Sequence, residues 1–306
     1  NKTLATELIL LGFSNYRTTN ICLFPIFFFI YMFSVVGNCL IICMIILNSP
    51  LHTPMYFFLI NLAFIDLCYS TSAIPKLLVN LLSTYRTISV IGCLIQFKVI
   101  LLIGATECQL LAVMAYDRYI AICRPLHYHI LMRWSVCFSL AAFVWIFSFI
   151  NVIIPSLAMP IIVCYPNEIN HFMCEVLSVL KLSCDDTSDQ EFVIFMVGFI
   201  VLLLPFVLIL VSYICIISSV LKIHSAAGRF KAFSTCTSHV IVVALYFGTG
   251  MFTYFSPSSQ YSSNREKYIS IFYVVICPML NPLIYSLNNR EVKKSFKTLF
   301  TKHVVS

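Results

Sequence analysis

Two groups of charged residues stand out in this chain, because only 10% of its 306 residues are charged. Asp66 and Glu107 lie within long apolar segments, while Asp117 and Arg118 are adjacent near the end of one, in the stretch MAYDRYIAIC. Two facing carboxylates in apolar surroundings could bind a small hard cation such as Na⁺, or share a proton without any ion. An adjacent acid and base could form an ion pair that separates when the protein changes conformation.

The composition places these residues in a membrane protein. The chain is 60% hydrophobic with a mean hydropathy of +0.96, whereas a soluble domain is about 45–50% apolar and about 25% charged. Seven segments are apolar and long enough to cross about 30 Å of hydrocarbon, and only helices can do so without unpaired backbone groups. We predict an all-α membrane protein, a seven-transmembrane helix bundle forming one domain over residues 1–306, with helices at 21–47, 54–81, 92–122, 135–160, 190–221, 232–256 and 268–287.

The basic residues predict how the bundle is oriented. If the C-terminus is cytoplasmic, eleven of the 19 Lys and Arg residues lie on the inner side, in agreement with the positive-inside rule. Residues 1–20 are then an extracellular N-terminus and 161–189 a long second extracellular loop, and Asn1, in the sequon Asn-Lys-Thr, is an outward-facing glycosylation site. Residues 288–306 form a short amphipathic eighth helix and tail, because Asn288–Phe300 is basic with Val292, Phe296 and Leu299 on one side.

Four of the fourteen cysteines fall on the predicted outer side of the membrane. The other ten lie within or beside apolar segments and are interpreted as small hydrophobic residues. An even number in an oxidising compartment predicts two disulfides, although four cysteines allow three pairings and their spacing does not select one. A zinc site is the weaker alternative, since there is no CxxC pair and His171 is isolated. The four outer cysteines are Cys93, Cys164, Cys174 and Cys184.

Five motifs, taken together, resemble those of one receptor family. The stretch MAYDRYIAIC follows the third segment, LHTPMYFFLINLAFID (Leu51–Asp66) leads into the second, and SY (Ser212–Tyr213) lies late in the fifth. KAFSTCTSH (Lys231–His239) opens the sixth segment and PMLNPLIYS (Pro278–Ser286) closes the seventh. This combination resembles the vertebrate odorant receptors of the terrestrial-type class, within the rhodopsin-like G-protein-coupled receptors, and the resemblance covers essentially the whole chain.

The resemblance implies a plasma-membrane receptor rather than an enzyme. A small, mostly hydrophobic volatile would bind in the outer half of the bundle and activate a stimulatory, olfactory-type G protein, which raises cAMP. The net charge of +7 is not a sign of nucleic-acid binding, because the basic residues flank membrane segments. The resemblance implies the disulfides Cys93–Cys174 and Cys164–Cys184, and activation or G-protein coupling through Asp117, Arg118, Tyr119, Tyr213, Lys231, His239 and Tyr285.

Asp66 and Glu107 receive a specific role from the same resemblance. Asp66 would be the acid of the sodium site of this receptor class, and Glu107 the additional acid that odorant receptors place nearby. Asn38 and Asn281 are the expected polar neighbours. The alternative is that one carboxyl group is protonated and bonds the other with no ion present.

The ligand cavity is expected between helices three, five, six and seven, in their outer halves. Helix three presents one apolar face with the spacing i, i+3, i+4, i+7 and i+8, and an apolar lining with one or two hydroxyl groups suits a small hydrophobic volatile. Ile100 stands where aminergic receptors have an aspartate, which disfavours a biogenic amine. The predicted lining on helix three is Phe97, Ile100, Leu101, Gly104, Ala105 and Cys108. By analogy with the receptor family, the other helices would contribute Val197, Gly198, Val201, Phe247, Met251, Tyr254, Ile271 and Val274.

Helix six departs from the family pattern at one point. Odorant receptors usually read Phe-Tyr-Gly in its middle, whereas this chain reads Tyr246-Phe247-Gly248. The shift of one residue moves the tyrosine about 100° around the helix. We therefore expect the family's hydrogen bond from this tyrosine to be lost and Phe247 to act sterically.

Two other classes of function are compatible with a buried acid pair. A secondary transporter could use Asp66 and Glu107, but inverted repeats and paired broken helices are expected of it, and the two halves of this chain show no self-similarity. An intramembrane enzyme could use the same pair as acid and base, but the sequence offers no metal ligands to position water.

Overall fold

The computed structural model describes residues 3–254, 263–287 and 292, and seven long helices dominate them. All seven are long and apolar enough to cross a membrane. Two of them, α5 and α7, contain a π-helical turn, at Phe199–Leu203 and Phe272–Ile276 respectively. The helices are α1 Arg17–Leu47, α2 Pro54–Leu82, α3 Val90–Cys123, α4 Trp134–Ala158, α5 Ser188–Leu221, α6 Ala226–Tyr254 and α7, which comprises Ser263–Ile271, the π turn and Cys277–Leu287.

Local sequence explains where several helices begin and end. A proline opens α2 at its first position, where the missing N–H costs nothing. Ser89 caps α3, since its hydroxyl accepts a hydrogen bond from the Gly92 N–H at 3.1 Å. Some helices extend past the predicted segments; α6 begins at Ala226 instead of 232 and α7 at Ser263 instead of 268. The prediction counted only apolar residues, whereas a helix can continue into the polar region beyond the hydrocarbon.

The bundle is apolar outside and carries its polar groups inside. Phe29, Phe138 and Leu208 are among many large side chains that are half exposed or more, as expected where lipid is the solvent. Small residues let the helices approach closely. A Cβ at Gly37 of α1 would lie 3.2 Å from the ring of Pro282 in α7, so these two helices pack backbone against side chain.

A small sheet, which was not predicted from the sequence, closes one end of the bundle. Its strands are β1 Glu7–Leu10, β2 Thr87–Ser89 and β3 Glu168–Ile169, in the order β2-β1-β3; β1 is antiparallel to β2 and parallel to β3. Cys93 is bonded to Cys174 and Cys164 to Cys184. These are the pairings implied by the resemblance, and they leave none of the four outer cysteines free for a zinc site. We call this the disulfide end, and the opposite end, which carries Arg118, the arginine end.

Two predicted features lie outside the described residues. The sequon asparagine, Asn1, is one of them. The other is the amphipathic eighth helix, Asn288–Phe300, of which only Val292 is described. Its side chain is buried at the arginine end beside Tyr285 and Leu51.

Candidate functional site

A cavity of about 340 Å³ lies within the bundle towards its disulfide end. Side chains of α2 to α7 line it, together with Ile161 and Val176 of the long loop. Most of these side chains are apolar, and the volume falls near the lower end of the range of small-molecule sites, about 300–1,000 Å³. The cavity is therefore suited to a small, largely apolar molecule.

The lining of α3 is the face that the spacing predicted, and that of α5 includes the predicted positions. All six residues predicted on α3 line the cavity, as do the three predicted on α5. Gly104 is essential to the shape, because a Cβ there would lie 2.6 Å from the Tyr69 hydroxyl oxygen and 3.1 Å from that of Tyr246. The residues are Phe97, Ile100, Leu101, Gly104, Ala105 and Cys108 on α3, and Val197, Gly198 and Val201 on α5.

The expectation for α6 was wrong at Phe247. Tyr246 lines the cavity, and its hydroxyl donates a hydrogen bond to the Gly104 carbonyl at 3.0 Å and lies 3.4 Å from that of Tyr69. Phe247 is fully buried elsewhere, with its ring centroid 5.5 Å from that of Phe206. The reversed order of the two aromatics thus points the tyrosine towards α3 and keeps a hydroxyl at the cavity floor.

Three other predicted positions on α6 and α7 do not line the cavity. Gly250 lines it instead of Met251, and Tyr273 lines it instead of Ile271 and Val274. On α7 both Tyr273 and Val274 lie within the π-helical turn, Phe272–Ile276, whose extra residue changes the direction in which the side chains there point. The side chain of Tyr254 lies outside the described residues.

Sequence reasoning missed the contribution of α4 and of the outermost part of α3. Their signal was present: polar residues interrupt an apolar helix, and polar residues in membrane segments usually face the protein interior. Tyr69 of α2 also lines the cavity and was not predicted. The polar residues missed on this side are Lys98, Asn151, Ser156 and Gln190.

The acid pair lies below the cavity floor and is fully buried. The side-chain amide of Asn281 is 3.0 Å from both carboxylate oxygens of Asp66. Glu107 is close enough to Asp66 to interact with it electrostatically, and its Oε1 has no hydrogen-bond partner among the described residues. The other expected neighbour, Asn38, instead donates to the carbonyl groups of Ser34 and Pro278.

At the arginine end, Asp117 interacts electrostatically with Arg118, as expected of the predicted pair, and also has a hydrogen-bond partner that was not predicted. The hydrogen bond that the structure gives Asp117 comes from the Tyr128 hydroxyl, at 2.8 Å, in the short helix that follows α3. Both members of the pair are buried. Adjacent positions on a helix point about 100° apart, so Arg118 faces α5, α6 and α7, where it influences Tyr213 and Tyr285 electrostatically.

His239 joins three helices at this end. Its Nε2 is 3.0 Å from the Leu111 carbonyl of α3, which can only accept, so Nε2 carries the proton. Its Nδ1 then accepts from the Tyr213 hydroxyl of α5, 2.7 Å away. Tyr285 is buried with no hydrogen-bond partner for its hydroxyl among the described residues. Tyr119 and Tyr213 both pack against the small buried cluster that contains Ile216 and Cys236. The side chain of Lys231 lies outside the described residues.

The long loop is held over the disulfide end by buried polar contacts. His171 is 3.2 Å from the Ser270 hydroxyl and accepts from the Met173 N–H, and burial next to Lys267 lowers its pKa to about 3. Burial and the nearby Glu266 raise the pKa of Glu175 to about 7. The loop is therefore a folded cap with two buried titratable groups, His171 and Glu175, whose pKa values are both shifted in the direction that favours the neutral form.

Comparison with known proteins assigns the family. A model of the olfactory receptor family matches residues 27–303. Human olfactory receptor 2B2 is 48% identical over 309 residues, covering all of this chain and 86% of that protein. Mouse olfactory receptor 2B6 is 48% identical over 307 residues, covering 98% of that protein, and human olfactory receptor 2A12 is 45% identical over 303 residues. With seven membrane-spanning helices and no enzymatic role among these relatives, the chain belongs to the olfactory receptor family of multi-pass plasma-membrane G-protein-coupled receptors.

Proposed function

We propose that this receptor binds a small, mostly hydrophobic volatile in the 340 Å³ cavity and, when it does, activates a stimulatory G protein that raises cAMP. In this proposal the disulfide end is extracellular and the arginine end faces the cytoplasm. Family membership favours this function over the two alternatives considered from the sequence, a transporter and an intramembrane enzyme, because the relatives are receptors.

The observation that supports the proposal most is a pair of matched contacts between α3 and α6. Tyr246 donates to the Gly104 carbonyl at the cavity, and His239 donates to the Leu111 carbonyl nearer the arginine end. On both helices the two contacts are seven residues apart, about 10 Å along the axis. A ligand that displaces Tyr246 therefore acts on the same two helices that His239 holds together.

The cytoplasmic step follows from the second of these contacts. When α6 moves relative to α3, the hydrogen bonds of His239 to Leu111 and Tyr213 cannot both persist. Separation of these helices would expose Arg118 to the G protein. The ligand supplies only the free-energy difference between its affinities for the two arrangements, so the contacts at the cavity floor set its efficacy.

A dose–response screen in transfected cells tests the proposal. The full-length receptor, with surface expression measured by an epitope tag, is exposed to a diverse panel of volatiles with a cAMP reporter. Leu101→Ala shortens a side chain of the lining and so enlarges the cavity. It is compared with Leu208→Ala, because the Leu208 side chain faces outwards from the bundle. We expect the ranking of active volatiles to change for the first variant only. An identical ranking in both variants and the wild type would reject this cavity as the binding site.

We also propose that Asp66 and Glu107 hold a sodium ion. Its oxygen ligands would be the Asp66 carboxylate and Glu107 Oε1, the latter a buried atom with no partner among the described residues. The ion would stabilise one arrangement of α2, α3 and α7. Replacing Na⁺ by choline should change volatile affinity in the wild type but not in Glu107→Gln. No change in the wild type would leave the protonated acid pair as the explanation, and an equal change in both proteins would mean that sodium acts at another place.

A further inference from the structure

One end of the cavity has a chemistry that a purely apolar ligand would not use. Lys98 of α3 lines the cavity, and it is the only Asp, Glu, Lys or Arg among the described residues that do so. Asn151 and Ser156 of α4 and Gln190 of α5 line it as well. Four polar side chains from three helices thus share one cavity whose remaining wall is almost wholly apolar.

These side chains differ in how much of their hydrogen-bonding capacity is already used. Asn151 donates to the Phe147 carbonyl at 2.8 Å and Ser156 to the Ile153 carbonyl at 3.1 Å, both within their own helix. Lys98 is half-buried and makes no hydrogen bond or ion pair with any described residue. An ammonium group in a mostly apolar cavity, without an anion beside it, gains most from a ligand that brings a negative charge.

We propose that the ligand is an amphipathic organic acid whose carboxylate binds the Lys98 ammonium, with the Gln190 amide beside it. This inference rests on the proposed function and specifies the ligand class of the same cavity. The apolar tail would run along α3 towards Gly104, Cys108 and Tyr246, which line the cavity further from the disulfide end. Lys98 and Cys108 are ten residues apart, about 15 Å along the helix, which accommodates tails of about six to ten carbons.

An acid is favoured over an alcohol of the same length by the charge on Lys98. A hydrogen bond between two ionised groups is shorter and stronger than one to a neutral hydroxyl, and the apolar wall weakens the competing solvation. The tail contacts are the same for both molecules. The difference in half-maximal concentration between acid and alcohol therefore measures the contribution of the head group alone.

The experiment compares octanoic acid with 1-octanol at pH 7.4, where the free acid is ionised. The full-length receptor is expressed in cells and surface-labelled, and dose–response curves are recorded for the wild type, Lys98→Gln and Lys98→Arg. Lys76→Gln is the matched control, because Lys76 is a half-buried lysine of α2 that does not line the cavity. The surface label separates a loss of recognition from a loss of folding.

The proposal predicts a specific pattern across the two probes. Lys98→Gln should raise the half-maximal concentration of octanoic acid by about 10- to 100-fold, the range for a hydrogen bond to a charged group, and leave that of octanol within about threefold. Lys98→Arg should retain most of the acid response, and Lys76→Gln all of it.

Two other outcomes would overturn the inference, and they separate it from the proposed function. If octanoic acid acts equally on the wild type and Lys98→Gln, or if only neutral volatiles are active, Lys98 merely extends towards the membrane surface. The inference then fails while the proposed function stands. If a receptor present at the surface responds to no volatile at all, both fail together.

Discussion

The two ends of the bundle are stabilised in opposite ways. At the disulfide end, covalent bonds, a three-stranded sheet and a folded loop surround a cavity with few polar contacts across it. At the arginine end the helices meet through hydrogen bonds such as those of His239 and Tyr128, with no cavity of comparable size among the described residues. A fixed cap around an adaptable cavity allows ligand exchange, whereas hydrogen bonds between helices allow two discrete arrangements.

The largest effect on stability is expected from removing the disulfides of the disulfide end. Replacing Cys93 and Cys174 together by serine removes a bond that closes 81 residues of chain, and the chain-entropy model gives about 4.5 kcal/mol for such a loop. Replacing Cys164 and Cys184 opens a closure of only 20 residues and should cost about 3 kcal/mol. Thermal unfolding of purified receptor measures both. Equal costs would mean that the cap, and not the chain closure, determines stability at this end.

The arginine end should show its effect in signalling more than in stability. His239→Ala removes the contacts to Leu111 and Tyr213, and two hydrogen bonds at about 1 kcal/mol each predict a shift of roughly 30-fold in the equilibrium between arrangements. Tyr213→Phe removes only one of them and should shift it by about fivefold. The measurement is the ligand-free cAMP level, normalised to the amount of receptor at the surface.

Thr237→Ala is the control for this pair of variants. Its hydroxyl is exposed and donates to the Phe233 carbonyl in the same helix, so its loss should leave the basal signal unchanged. If all three variants gave the same basal signal, His239 would be a structural histidine without a role in switching. If Tyr213→Phe exceeded His239→Ala, the contact between α5 and α6 would dominate that between α3 and α6.

Substitution of two glycines that line the cavity tests ligand binding at the disulfide end without altering a residue of the arginine end. In Gly104→Ala the new methyl group would meet the Tyr69 and Tyr246 hydroxyls at 2.6 and 3.1 Å, and crowding of this kind costs about 1–3 kcal/mol. Gly198→Ala, also in the lining, meets nothing within 4 Å. We expect volatile potency to fall about tenfold or more in the first variant and less than threefold in the second. Similar losses in both would show that the Tyr246–Gly104 contact does not control binding.

Sequence alone accounted for the parts of the site that follow regular helical spacing. The apolar positions of the α3 face from Phe97 to Cys108 were predicted, although Lys98 was not, because the helix there is regular, with 3.6 residues per turn. On α7 analogy with the receptor family selected Ile271 and Val274 instead of Tyr273, and the π turn there cannot be recognised from apolar periodicity. The acid pair and His239 could likewise be placed from the sequence, because each residue's helix and its distance from the helix ends determine how deep it lies in the bundle.

The rest depended on contacts between distant segments. The strands of the small sheet contain two to four residues each, too few for an alternating pattern to be visible. Lys98 could be placed near the membrane surface from sequence, but its position in the cavity depends on how α4 and α5 pack against α3. Hydrogen-bond partners such as Tyr128 for Asp117 lie in turns, where no helical spacing applies.

The smallest expected effect is the pH dependence of the stability of the loop over the cavity. Its sign differs between Glu175 and His171. Glu175 has a raised pKa, so its contribution to stability is full below the unfolded value of 4.5 and is lost as the pH rises through about 7. His171 has a lowered pKa, so its contribution is full above 6.5 and is lost as the pH falls towards 3. Between pH 5 and 6.5 the two dependences oppose each other, and the wild type should show little net change.

Each single variant should therefore reveal the slope of the residue that remains. With His171→Gln, Glu175 acts alone, facing Glu266 and Lys181, and the free energy of unfolding should rise by about 1–2 kcal/mol as the pH is lowered from 6.5 to 5. With Glu175→Gln, His171 acts alone beside Lys267, and stability should fall by a similar amount over the same interval. Thermal unfolding at several pH values measures both slopes. Parallel curves for the two variants would mean that the loop opens before either group titrates, so that the disulfide end would be less rigid than its covalent bonds imply.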